Sequence, residues 1–469
     1  MLACSVGLPT PALAFDPQLG ADARATLERA GKYFSSILAV DGAYVWAYSA
    51  DLKDRKGEDT AGPTTGWVQP PGTPAVGAAL LRIYEVTGDS YWLDSARASA
   101  KALVDTQLLS GGWNNRIEMG AERAAWCYRA SGVTPDACGD LKGNKAKNRT
   151  VLDDDNTQSA IRFLMWLDSV EEGQNQSVRD TIDYAFKRLS AMQYPNGSWP
   201  AFDRRNPKDL QENLKASIPT EWPRSWVKPE GGVYYILNDN AQRDMVHLYL
   251  AAATQYGNEE FLEAAKRAGE FLLDAQLPQP QSGWAQTYNI DMQPIWGRPF
   301  EPPSVASRET AGSITALVEL YHHTGDERFV NAARTAADWL RAVRLPDGDW
   351  ARFYELSTNR PLYVDQDKKL TYEPVNLLSN YSLKSQDGIP QALAYLDAVD
   401  TGKGTLPLWI AAEDEISGDQ LESKVRKLVE TAGPDGNWAE KGWIKSDTFV
   451  DAAFLISRYL NETSSQVED

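Results

Sequence analysis

The feature that most constrains this chain is a recurring turn, glycine followed by tryptophan, with 66 to 88 residues between successive tryptophans. The six instances are Gly42 to Trp46, Gly111-Gly112-Trp113, Asn196-Gly197-Ser198-Trp199, Gly283-Trp284, Asp347-Gly348-Asp349-Trp350 and Asp435-Gly436-Asn437-Trp438. Before each runs an amphipathic segment, as at 91–108, 178–193, 261–276 and 329–343. In the last of these, Phe329, Ala332, Ala333, Ala336, Ala337 and Leu340 follow helical i, i+3, i+4 spacing. After each comes a polar loop of variable length and a second helical segment, at 75–89, 156–170, 241–257, 310–326, 388–399 and 448–460. Two of these end in Thr-Gly-Asp, at 87–89 and 324–326, where glycine suits a left-handed helix cap. The pattern predicts an all-α fold, an (α/α) toroid or barrel of about six helical hairpins with long loops on one rim. An open solenoid is the alternative, because spacing does not show closure. Either way, function belongs on the loops between each tryptophan and the next helix.

Composition narrows the classes. A net charge of −18 without a long basic run disfavours nucleic-acid binding. Three His and three Cys leave too little for a multi-His zinc site or an iron–sulfur protein. No window reaches about 18 consecutive apolar residues, so no membrane span is expected. The 16 Trp allow two readings, large core packing or platforms that stack on sugar rings. The first residues are apolar and end in Ala12-Leu13-Ala14, a small-x-small pattern with cleavage expected before Phe15. Residues 1–14 therefore read as a signal remnant and 15–469 as a single monomeric domain, secreted or periplasmic. A lipoprotein signal ending at Cys4 and a plain N-terminus are the alternatives. In an exported protein Cys127 and Cys138 would form a disulfide; in a cytosolic one they would be free thiols.

The loops carry the candidate chemistry. Asp153-Asp154-Asp155 opens one helix and Asn238-Asp239-Asn240 the next, either as helix caps or as hard oxygen ligands for Ca²⁺ or Mg²⁺. Trp199 leads into Phe202-Asp203-Arg204-Arg205, and then to Trp222, Trp226 and Tyr234. The run Trp296-Gly297-Arg298-Pro299-Phe300-Glu301-Pro302-Pro303 holds one Arg and one Glu on a proline-stiffened segment. They form either a surface ion pair or a fixed site. In the stretch 350–363, Arg352 and Arg360 alternate with aromatic residues, as in a surface that grips a carboxylate-bearing sugar or in a hairpin with exposed Arg. His247 is expected to pack, and His322 and His323 to sit at a helix end.

Five of these pieces, in order, resemble polysaccharide lyase family 10, the pectate lyases, over roughly residues 95–390. They are Gly111-Gly112-Trp113, Leu152-Asp153 running into Ile161-Arg162-Phe163-Leu164, Asn196-Gly197-Ser198-Trp199-Pro200 with Asn238-Asp239, Trp296-x-Arg298-x-Phe300-Glu301-x-Pro303-Ser304, and Arg352-Phe353-Tyr354 through Thr358-Asn359-Arg360-Pro361. The helical segments in 15–94 and 391–469 lie outside that core. The resemblance implies an (α/α) toroid and Ca²⁺-dependent β-elimination on polygalacturonate. In that reaction a base takes the C5 proton α to the uronate carboxylate, and the C4–O4 bond breaks. It implies Arg298 as the base and Asp239, Glu301 and Asp154 around the metal. Asp153, Arg352, Arg360, Trp113, Trp199 and Trp296 would contact the acidic polysaccharide. Asp153-Asp154-Asp155 stands where the family shows Asp-Asn-Gly, and Gln366 where it carries an Arg. The stretches 116–150 and 206–232 read as insertions. An Asp-pair glycoside hydrolase on the same architecture and a non-catalytic sugar-binding toroid are the other two readings.

Overall fold

The last carbonyls of a helix lack a full set of partners within it, and here the tryptophan marks supply a donor, alone or beside a backbone N–H, as at Leu272 O and Leu428 O. In the computed structural model, Trp199 Nε1 donates to Leu189 O at 2.9 Å, Trp284 Nε1 to Leu272 O at 2.8 Å, Trp350 Nε1 to Leu340 O at 2.8 Å and Trp438 Nε1 to Leu428 O at 2.9 Å. Each accepting leucine sits near the end of the helix just before the mark. The same turns are tied forward to the next helix. Trp113 N donates to Thr157 Oγ1 at 3.1 Å, Trp199 N to Gln242 Oε1 at 2.9 Å and Trp284 N to Thr310 Oγ1 at 3.0 Å. In the first repeat Tyr44 takes this position, donating from its N to Thr73 Oγ1 at 3.0 Å. The equivalent residue there is Tyr44 rather than Trp46.

The structure describes residues 16–140, 145–202, 214–229, 235–400 and 418–464. The expected leader at 1–14, the Asp203-Arg204-Arg205 run and Tyr234 lie outside them. The fold class is all-α, built of (α/α) hairpins of the toroid kind, as the spacing of the marks predicts. The contacts separate into two compact units.

The first unit takes both ends of the chain, residues 1–103, 116–122 and 412–469. It contains α1 (Pro17–Tyr33), α2 (Thr73–Thr87) and most of α3 (Ser90–Thr106), with α11 (Gly418–Thr431) and α12 (Ser446–Ser464). α12 packs on α1 and α2, where Phe34 and Phe449 stack with ring centroids 4.1 Å apart. Strand Ala47–Ser49 pairs antiparallel with Trp443–Lys445, Tyr48 opposite Ile444. Sequence spacing alone does not reveal this pairing of the chain's two ends.

The second unit, residues 104–115 and 123–411, holds α4 (Asn156–Val170), α5 (Gln176–Met192), α6 (Ala241–Tyr256), α7 (Glu259–Ala275), α8 (Ser307–Thr324), α9 (Glu327–Ala342) and α10 (Ile389–Asp400). α4, α6, α8 and α10 pack side by side in succession, and α5, α7 and α9 back them. The turns between hairpin partners carry the expected chemistry. Gly325 closes α8 in the left-handed region, its N–H on Tyr321 O, and Asp326 caps α9 through Arg328 N. A four-stranded sheet of short strands has Phe353–Tyr354 between Val305–Ala306 and Pro361–Val364, with Arg352 immediately before that inner strand. Cys127 and Cys138 form a disulfide. No helix among the described residues is long and apolar enough to cross a membrane.

Candidate active site

The site lies in the second unit, where two turns of the same shape meet. Asp153–Asp155 and Asn238–Asn240 are single 3₁₀ turns leading into α4 and α6, and they touch one another. Each contains two successive left-handed residues, Asp154 (φ 51°) and Asp155 (φ 56°) in one, Asp239 (φ 50°) and Asn240 (φ 60°) in the other. Asp and Asn tolerate that region better than other side chains bearing a Cβ, yet two in a row still cost energy. Gln158 and Gln242 hold the turns from inside their helices, each donating to a carbonyl just before its turn, Leu152 O at 2.8 Å and Ile236 O at 2.9 Å. Neither Asp155 nor Asn240 makes a side-chain cap. The capping reading of these carboxylates is therefore overturned: the left-handed backbone turns them away from the helix N–H groups.

The freed carboxylates gather. Oxygens of Asp153, Asp154 and Asp239 lie within 4.8 Å of one another. Asp153 Oδ1 is buried without a hydrogen-bond partner among the described residues. Burial, and then the negative charges of Asp239 and Asp154, push the Asp153 carboxyl up to about 8, against a smaller opposing pull from Arg298. An orphaned buried oxygen, two neighbouring carboxylates and crowded negative charge are the donor set a hard divalent cation takes. These residues fit such an ion.

Cations surround the cluster. Arg308 Nη1 donates to Asp239 Oδ1 at 3.3 Å, and Arg352 Nη2 lies 3.8 Å from the same oxygen. Arg352 is buried, donates to Glu309 Oε1 at 3.2 Å and lies 4.3 Å over the Tyr381 ring. That replaces the reading of Arg352 as an exposed hairpin residue. Arg298 is half-exposed, but its partner Glu301 is 4% exposed. Arg298 Nη2 donates to Glu301 Oε1 at 2.5 Å, and Tyr381 Oη donates to that oxygen at 2.8 Å. Burial works against the Arg298 cation, but Glu301 outweighs it and raises the guanidinium pKa above its ordinary value. In this arrangement Arg298 is held protonated, and Glu301 serves it and Tyr381.

The structure thus brings Asp153, Asp154, Asp239, Arg298, Glu301 and Arg352 together. Arg360 stands apart, 3.6 Å over the ring of Tyr372. The stacking role expected of Trp113, Trp199 and Trp296 is corrected: all three are at most 2% exposed, and a buried ring offers no face to a sugar. Trp199 caps a helix end, as above, and Trp296 Nε1 donates to Pro223 O at 2.8 Å.

Sequence reasoning missed Gln286, Arg308, Glu309 and Tyr381. Gln286 Nε2 donates to Asn238 Oδ1, to Tyr381 Oη at 2.9 Å and to Glu309 Oε1 at 3.2 Å. A signal for it exists in the repeated Trp-Ala-x-x-Tyr at 284–288 and 350–354. In both, the tyrosine hydroxyl accepts from the alanine N–H and donates to a carbonyl at the end of the preceding helix region. That fixed loop puts Gln286 and Arg352 in equivalent positions, and both reach Asn238.

No family model and no curated protein matches the chain. Solved structures do. A mutant family 10 polysaccharide lyase from Cellvibrio cellulosa, in complex with trigalacturonic acid, is 18% identical, with a TM-score of 0.47, covering 70% of this chain and 98% of its own. A D-mannose isomerase is 14% identical, with a TM-score of 0.49, covering 96% and 99%. A GH76 α-mannanase from Bacteroides thetaiotaomicron is 10% identical, with a TM-score of 0.49, covering 96% and 100%. At these identities and TM-scores none of the likenesses assigns an activity. The chain is similar, over 70% of its length, to a lyase of the family that its motifs resemble.

Proposed function

We propose that this chain is a secreted or periplasmic polysaccharide lyase that cleaves an acidic, uronate-containing polymer, pectate foremost, by β-elimination with Ca²⁺. The observation that carries the reading is the meeting of a cation-ready carboxylate trio with two arginines, Arg298 and Arg352, in one cluster. Elimination α to a carboxylate needs negative charge neutralised as the proton leaves C5. Asp153, Asp154 and Asp239 would hold the ion, which when bound would supply Lewis-acid neutralisation of the uronate carboxylate. Arg352, fixed by Glu309 and Tyr381, supplies a rigid guanidinium beside Asp239. Arg298 is the proposed base. Its burial disfavours the cation and Glu301 restores it, so accepting a proton requires Glu301 to turn away from it. The Cys127–Cys138 disulfide supports an oxidising compartment.

The test is incubation of the purified protein with polygalacturonate and other uronate polymers, with Ca²⁺ or with chelator. The expected result is a conjugated 4,5-unsaturated product absorbing in the ultraviolet, lost on chelation. No such product from any uronate polymer sinks the proposal.

One observation favours a second reading, an Asp-pair hydrolase. Asp153, with its carboxyl pushed up to about 8, is a protonated acid at neutral pH beside the Asp239 carboxyl, and a carboxyl pair with one member kept as an acid is the equipment of glycosidases. New reducing ends without unsaturation would select it.

A further inference from the structure

Beyond the carboxylate cluster, the same unit carries a second group of arginines and rings. Segment 214–229 is tied down by its backbone, Ala216 N donating to Asp274 O at 2.7 Å and Ser217 N to Met292 O at 3.1 Å. Trp296, two residues before Arg298, donates to Pro223 O at 2.8 Å and sets the segment against the site. The residues flanking Pro223 are Trp222 and Arg224, and the Arg224 guanidinium lies 3.9 Å over the Trp222 ring. Arg224 also pairs with Glu355 and lies 3.5 Å from Tyr372 Oη. Glu355 is buried and accepts from Tyr372 Oη at 2.6 Å and from Thr358 Oγ1 at 2.6 Å. One buried carboxylate thus fixes both Arg224 and the Tyr372 ring. Above that ring lies Arg360, at 3.6 Å, exposed and making no ion pair among the described residues.

The chemistry of this group is specific. Two guanidiniums against one carboxylate leave one positive charge uncompensated, on a chain whose net charge is −18. A guanidinium stacked on a ring spends its face on the ring and keeps its in-plane N–H groups for a carboxylate. The stacking also orders side chains that would otherwise lose freedom on binding. Trp222 and Tyr372 add the partly open aromatic surface on which sugar rings rest.

We propose that Trp222, Arg224, Tyr372 and Arg360 form an additional subsite for one carboxylate-bearing sugar unit of a polymer, away from the residues at which the bond would be cut. The proposal rests on the uronate-polymer reading above and adds a preference for longer chains. It also assigns a role to segment 214–229, which the family resemblance leaves as an insertion.

The test is calorimetric binding of a trimeric and an octameric oligogalacturonate to the Arg298→Ala protein, in which no turnover intervenes. The octamer is expected to bind more tightly than the trimer. Adding Arg224→Ala or Arg360→Ala should weaken octamer binding about tenfold and change trimer binding by less than about twofold. Trp222→Ala leaves the buried Glu355 with its partners, so it tests the subsite where Arg224→Ala disturbs the fold; it should also weaken the octamer selectively. Equal losses for both oligomers, or no loss in any variant, overturn the subsite while leaving the uronate reading intact. Failure of the wild-type protein to bind or cleave either oligomer overturns both.

Discussion

Arg298 and Glu301 are joined by a 2.5 Å hydrogen bond between a half-exposed cation and a buried carboxylate. The pair keeps the proposed base protonated in the resting site. Arg298→Ala should reduce the elimination rate by about 10² to 10⁴-fold, the usual worth of a general base. Glu301→Gln should shift the rising limb of the rate profile, where the base gives up its proton, to lower pH, because the group that stabilises the guanidinium charge is gone. A steady-state pH series on both variants reads this. An unchanged rate in Arg298→Ala would remove Arg298 from the chemistry.

Asp153 carries the most perturbed acid of the cluster. Its carboxyl is raised to about 8 from an ordinary unfolded value of about 3.9. The folded state therefore holds a proton that the unfolded state has released. The resulting stability is fully present below the unfolded value and is lost as pH rises toward about 8. Asp153→Asn should make the chelated protein melt higher than wild type near pH 9 while abolishing cation binding. Thermal unfolding with and without Ca²⁺ checks both halves.

Gly312 lets α8 approach the second turn. A Cβ there would sit 2.3 Å from Asn240 Oδ1, and Asn240 is one of the left-handed residues that orient Asp239. Gly312→Ala should cost about 10- to 100-fold in cation affinity, the range for lost outer support of a metal site. Titration calorimetry with Ca²⁺ measures it. An unaltered affinity would show that the turn does not depend on this close approach.

Trp284 tests the structural reading of the tryptophan marks. Trp284→Phe keeps an aromatic ring but removes the indole donor to Leu272 O, which then retains only the Gln276 N–H at 3.1 Å, a loss of one hydrogen bond worth about 0.5–1.5 kcal/mol. Denaturant unfolding should report that loss, with KM for polymer unchanged. A raised KM at full stability would instead return Trp284 to the substrate.

Most of the fold was legible because the Gly/Trp turn is a local device that repeats. Its register in the first repeat was misread, since Tyr44 replaces the indole and only the bond to Thr73 reveals it. The acids Asp153, Asp154 and Asp239 were legible as a group, but cap and ligand look alike in sequence. The left-handed φ at Asp154 and Asp239 goes with turns that make no side-chain cap. Glu309 and Tyr381 were not legible. Each reaches the site through contacts with residues distant in sequence, Glu309 with Arg352 and Gln286, and Tyr381 with Glu301, Gln286 and Arg352. The buried Trp113 and Trp296 were misread because exposure depends on neighbours far along the chain.

His247 allows a pH test free of the carboxylate cluster. It is half-buried on α6, with Nε2 buried and unpartnered among the described residues. Burial, and then the nearby Arg243 and Arg162 cations with a smaller push from His323, drive its pKa well below the ordinary value; the Thr315 backbone opposes them weakly. Below about pH 6.5 the unfolded chain takes up a proton here that the folded chain refuses. Stability is therefore lost as pH falls through that value, at up to about 1.4 kcal/mol per pH unit. Asp153 tilts the curve the other way over part of the same range, so wild type alone does not isolate His247. The difference between wild type and His247→Gln does, because every other group is common to both. Denaturant unfolding of the two proteins at about pH 7.5, 6 and 5 should show wild type losing stability faster on acidification. Parallel curves would mean that the folded state admits the proton after all, and that the packing of α6 around His247 opens to accept it.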